Sequence, residues 1–101
     1  MAYEKTSLDT KTKSKVKKPS LYKVIMHNDN YTTMQFVVSM LMSVFNRNKS
    51  QAVKIMFDIH KKGAGIAGIY PKEIAETKVD MVHFRAREKG FPLRCSLEKE
   101  S

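Results

Sequence analysis

The sequence predicts an α+β domain, a small three-stranded antiparallel sheet packed against three helices in the order β-α-α-β-α-β, behind a basic tail. Three observations predict it. Three strand-like and three helix-like segments follow one another within about 80 residues, a span typical of one small core. Cap and turn residues separate them, and no segment repeats another. With 101 residues, 42% of them hydrophobic and 29% charged, the chain has the composition of a single globular domain.

The first strand is Leu21–His27, rich in β-formers and ended by the turn-forming Asn28-Asp29-Asn30. Thr32 followed by Gln35 three residues later reads as a capping box opening a helix. That helix, Met34 to about Phe45, is apolar on most sides, so protein must nearly surround it or part of its surface must face a ligand. Asn46-Arg47-Asn48 breaks it, and Ser50 is expected to cap a second helix through Lys62 with Val53, Met56, Phe57 and His60 on one side. Lys61-Lys62-Gly63 is a stop signal, with cations in the last turn and glycine after it. Ile66–Tyr70 reads as the second strand, and Pro71 suits the first turn of a third helix carrying Ile74, Ala75, Val79, Val82 and Ala86 at near-helical spacing. After Gly90 and Pro92 the last strand alternates, turning Leu93, Cys95 and Leu97 to one face.

Charge and motifs exclude more than they assign. Of the net charge of +9, four units lie in residues 1–19, where six lysines stand against Glu4 and Asp9. That segment has too few apolar residues to offset the entropy of ordering it, and it reads as a flexible tail. It lacks an apolar h-region, so no secretory signal is expected, and no stretch is long enough for a membrane span. A single cysteine builds no disulfide framework and favours a reducing, cytoplasmic setting. The body has no arginine-rich stripe with interleaved aromatics, although a basic RNA- or ribosome-binding module remains the alternative that would use the charge. Phosphate loops, nucleophile elbows and zinc-protease motifs are absent. His27, His60 and His83 have no metal-ligand spacing, so neither a metal nor a cofactor is expected. Cys95 faces inward, where thiols are inert, and an acid–base pair of Asp29 with His60 would make a hydrolase only if some substrate turned over.

What remains is a polar cluster beside an apolar one. Asn28, Asp29, Asn30 and Thr32 crowd one loop with a single formal charge, and Met34 and Val37 follow on the helix it opens. Met56, Ile59 and His60 stand at i, i+3 and i+4 on the second helix and share a face. Taken singly these are turn-formers and core residues. Together they describe an acceptor-rich rim over a methionine-lined slot.

From about Lys18 onward the chain resembles the ClpS family, adaptors that select N-degron substrates for a Clp-type AAA+ protease. The resemblance rests on Pro19-Ser20-Leu21-Tyr22-Lys23-Val24-Ile25, Asn28 through Met34, Met56 through His60, Ala75-Glu76-Thr77-Lys78-Val79 and Pro92-Leu93-Arg94-Cys95. It implies a non-catalytic adaptor with a three-strand, three-helix fold. Its substrate-amine groups would be Asn28, Asp29 and His60, with Asn30 and Thr32 at the same mouth. Its hydrophobic pocket would be Met34, Val37, Met56, Ile59 and Leu93, with Met34 as a gate against β-branched first residues. The partners implied are N-degron peptides, beginning with Phe, Leu, Tyr or Trp, and the N-terminal domain of an AAA+ unfoldase docked on Glu73 and Lys78. Neither nucleic acid nor membrane is implied. The tail, up to about 60 Å when extended, would reach into an unfoldase pore. Asn30 stands where the family has a second aspartate and Thr33 where it has proline, so the rim should attract a cation less strongly.

Overall fold

The computed structural model describes residues 18–100, so nearly all of the expected tail lies outside the described residues. Six elements follow in the expected order: β1 (Leu21–His27), α1 (Met34–Ser43), α2 (Lys49–Lys62), β2 (Ala64–Pro71), α3 (Lys72–Lys89) and β3 (Arg94–Lys99). The strands form one antiparallel sheet in the order β2-β1-β3. β2 is longer than Ile66–Tyr70 because the whole of β1 pairs with it, from Leu21 opposite Pro71 to His27 opposite Ala64. The register shifts between Val24 and Ile25, leaving Ala67 as the extra residue of a bulge.

Burial alternates along β1: Val24 and Met26 are fully buried while their neighbours are not. One face of the sheet therefore carries the helices. The core joins that face to Phe36, Val37, Met40 and Leu41 of α1, Ala52, Met56 and Ile59 of α2, and Ala75, Val82 and Ala86 of α3. Leu93, just before β3, and Cys95 within it close the core, with Leu97 packed at its margin. Gly65 lets the start of β2 lie against α2, since a Cβ there would come within 2.8 Å of the Ile59 side chain.

Local details correct the sequence reading in several places. The N-cap of α1 is Thr33, whose Oγ1 accepts from the Phe36 N–H at 3.1 Å. Thr32, one residue before the cap position, instead donates both its N–H and its hydroxyl to Asp29. α2 is capped by Asn48 rather than Ser50, two residues earlier than expected, through a capping box in which Asn48 and Gln51 bond reciprocally (2.8 and 3.0 Å). Phe57 is 46% exposed and does not share the buried face of Met56. Ile74 likewise points outward, and Pro71 occupies the N-cap position of α3 rather than its first turn.

Candidate functional site

The site is assembled where β1 runs into α1 and the end of α2 passes beside them. Two features hold the intervening loop. The Asn28 N–H donates to the Gly63 carbonyl (2.9 Å), tying the loop to the C-terminus of α2. Gly63 itself adopts φ +90° and caps that helix through Ile59. The second feature is Asp29. Its Oδ1 accepts from the N–H groups of Tyr31 (2.8 Å) and Thr32 (2.7 Å), and its Oδ2 from the Thr32 hydroxyl (2.8 Å). Partial burial pulls the Asp29 carboxyl upward, but the two backbone donors and the hydroxyl outweigh it and hold the group below its usual value. Asp29 is therefore an ionised carboxylate and also the residue that shapes the loop.

Between this loop and the helices lies a cavity of about 250 Å³. Asn28, Asp29, Asn30, Thr32 and His60 supply its polar lining, and Met34, Val37, Met56 and Ile59 the apolar part. Val37, Met56 and Ile59 are buried, whereas Met34 is 45% exposed at the lip. The helical greasiness noted in the sequence thus splits: Phe36, Val37, Met40 and Leu41 enter the core, and Met34 is left at the opening. The cavity is smaller than the roughly 300–1,000 Å³ of sites for drug-sized ligands, and it has room for one side chain rather than a folded peptide. Nine of the ten residues singled out from the sequence line it. Leu93 does not. It lies just before β3, is 4% exposed and packs in the same core cluster as Ile59, which is 3% exposed and does line the cavity.

The two residues assigned to docking differ from each other. Glu73 is exposed in the first turn of α3. Lys78 turns back to the protein, its Nζ donating to the Val44 carbonyl (2.7 Å) at the end of α1 and lying 5.0 Å from the Tyr70 ring centroid. Both border a shallow groove with Ile74, Thr77 and Met81. Cys95 is buried and its thiol is pushed up to about 12 by desolvation, as expected for an inert thiol. Among the described residues no cluster of three metal-ligating side chains occurs, and no helix is long and apolar enough to cross a membrane.

Residues 17–96 match the family described as ATP-dependent Clp protease adaptor protein ClpS. The chain belongs to the ClpS family. It is 55% identical over 85 residues to the ClpS adapter protein of Lawsonia intracellularis, covering 84% of this chain and 78% of that one. It is 50% identical over 104 residues to the ClpS adapter of Desulforapulum autotrophicum, covering 99% and 100%. Among solved structures it is similar to Agrobacterium tumefaciens ClpS2 bound to L-phenylalaninamide, with a TM-score of 0.79 and 35% identity over 82% of this chain and all of that one. The ClpS fold accounts for the three helices on one side of a three-stranded antiparallel sheet, and the family for an adaptor role at the Clp protease.

Sequence reasoning missed one neighbour of the cavity. A second, open groove runs between α1 and α2 and shares Met34 and Met56 with it. The row Met34, Val38, Met42 at i, i+4 and i+8 was visible as a signal, but in so apolar a helix it could not be told from core.

Proposed function

We propose that this adaptor binds the free N-terminal amine and the bulky apolar first side chain of N-degron substrates in the cavity, and delivers them to a Clp AAA+ unfoldase. The observation that carries the reading is the cavity itself: one carboxylate and neutral acceptors at the rim, methionines and aliphatic groups below. An α-ammonium brings a positive charge and three N–H donors. The Asn28 side-chain carbonyl and a His60 ring nitrogen supply two acceptors. Asp29 spends most of its lone pairs on its own loop, so it acts through its remaining Oδ2 valence, a bridging water, or its charge. Asn30 and Thr32 line the same mouth. The first side chain drops against Val37, Met56 and Ile59, and Met34 at the lip meets branching at Cβ. Methionine suits a slot that accepts both flat rings and leucine, because its unbranched chain re-packs. The phenylalaninamide bound to the similar ClpS2, a free amine next to a benzyl side chain, is the same chemistry.

Delivery adds a second surface. Glu73 offers an exposed carboxylate to the N-terminal domain of the unfoldase, while Lys78 holds α3 against the end of α1 and so sets the shape offered. Fluorescence anisotropy with a peptide beginning with Phe, beside its N-acetylated twin, tests the binding step. Acetylation removes the charge and two donors, so the twin should not bind; equal binding of both peptides overturns the reading. Truncation of residues 1–17 should leave peptide affinity intact and slow degradation of an N-degron reporter by the unfoldase and its protease.

A further inference from the structure

We infer that the groove between α1 and α2 is a second side-chain subsite, which receives the third residue of the peptide whose first residue fills the cavity and favours an apolar side chain there. The inference rests on the reading above and adds to it a substrate preference beyond the first residue. The groove has a volume of about 530 Å³, and its apolar walls are Met34, Val38 and Met42 from α1 and Val53 and Met56 from α2. Val38 and Val53 are half-buried, and Met34 and Met42 are 45% and 39% exposed, so the trough presents an apolar surface to solvent. Exposed apolar concavities of this kind are characteristic of binding surfaces.

Continuity with the cavity decides the occupant. Met34 and Met56 line both spaces, so a single layer of methionine separates them. The cavity holds one side chain, and the peptide main chain must then leave across its lip. On the loop side the lip is the polar Asn28–Thr32 segment; on the other side it is Met34, beyond which the groove opens at once. In an extended peptide, side chains i and i+2 point the same way about 7 Å apart. The first and third side chains would therefore straddle the Met34–Met56 partition while the second points to solvent. The groove's single charged side chain is Lys49, the first residue of α2, so a basic third residue is disfavoured. The exposed apolar surface of Met42 and Met34 is thereby given a role, with Val38 and Val53, which also pack against the core, forming the floor between them.

Anisotropy with peptides of the form Phe-Gly-X, where X is Leu, Gly or Lys, tests this, with N-acetyl-Phe-Gly-Leu as the control for the amine. The expected order is Leu, then Gly, then Lys, with Leu about three- to ten-fold tighter than Gly for partial burial of one aliphatic side chain. The substitution Met42→Glu lies on an exposed position and should reverse the preference, so that Lys at the third position binds better than Leu. A merely structural effect of that substitution would weaken all three peptides alike. If the three peptides bind wild-type protein within two-fold while acetylation still abolishes binding, the subsite is refuted and the first-residue reading stands. If the acetylated control binds as well as its free twin, the first-residue reading fails and the subsite with it. Self-association that Met42→Glu abolishes, together with a flat series in X, would assign the groove to a second copy of the chain and also refute the proposal.

Discussion

The loop of residues 28–33 and the outer face of α3 both lie on the surface and both carry residues assigned to recognition, but they are built differently. The loop is concave and internally bonded: Asp29 accepts three hydrogen bonds from the two residues that follow Asn30, and Asn28 is tied to Gly63. The acceptors around the cavity are thereby held in place before any ligand arrives, which lowers the cost of ordering them on binding. The face of α3 is only shallowly grooved and exposes Ile74, Met81 and Phe84 with Glu73, while its Lys78 and Arg85 are turned toward the end of α1 (Nζ to Val44 O at 2.7 Å, a guanidinium N–H to Ser43 Oγ at 3.3 Å). A concave, preformed set of acceptors suits one small charged group; a shallow, largely apolar face suits a broad protein surface.

The sharpest way to break this contrast is at Asp29. Asp29→Ala removes the charge and unties the loop, so affinity for every Phe-, Leu- or Tyr-led peptide should fall by about 10- to 100-fold, the equivalent of one charge-assisted hydrogen bond. Asp29→Asn keeps an acceptor for the Tyr31 and Thr32 amides and should lose less; equal losses in the two variants would show that charge alone matters. His60→Ala should likewise weaken all first residues together, whereas Met34→Ala should admit Ile or Val at the first position while changing affinity for Phe by only a few-fold. A uniform loss with Met34→Ala, measured across a first-residue series, would remove its role as a gate.

At the other surface the expectation inverts. Glu73→Lys should leave peptide affinity unchanged and impair delivery to the unfoldase, read as degradation of an N-degron reporter. Lys78→Met keeps the aliphatic stem but deletes the bond to Val44, and should lower stability by roughly 1 kcal/mol in denaturant titration, because it leaves a helix-end carbonyl without its partner. Acidification discriminates further. A carboxyl held below its unfolded value contributes stability that is complete above that value, 3.8, and is lost as pH falls through the lower folded value. The loop's amide protection in hydrogen exchange should therefore hold down to about that point and fail below it. The smallest effect is a control. Cys95, with its thiol near 12, should resist alkylation at pH 8 until denaturant exposes it.

Much of this was legible in the chain. Periodicity and punctuation determine six elements and their order, because Leu21–His27 is rich in β-formers and ends at a turn, Leu93–Leu97 alternates with period two, and Val53, Met56 and His60 repeat at helical spacing. The crowding of Asn28, Asp29, Asn30 and Thr32 marked the polar rim, and the cavity collects all four. Local competition was harder to read: the capping-box pattern pointed to Thr32, whereas Thr33 caps the helix and Thr32 donates to Asp29, a bond the spacing does not reveal. The tertiary structure alone decided which hydrophobic residues form a wall, a lip or plain core. Leu41 and Met34 have similar side chains on one helix, yet Leu41 is fully buried in the core while Met34, in the first turn of α1, stands exposed at the lip of the cavity. A periodic pattern specifies which face of an element is apolar; it carries no information about whether a neighbour arrives to cover it, since that depends on the approach of residues distant in the chain.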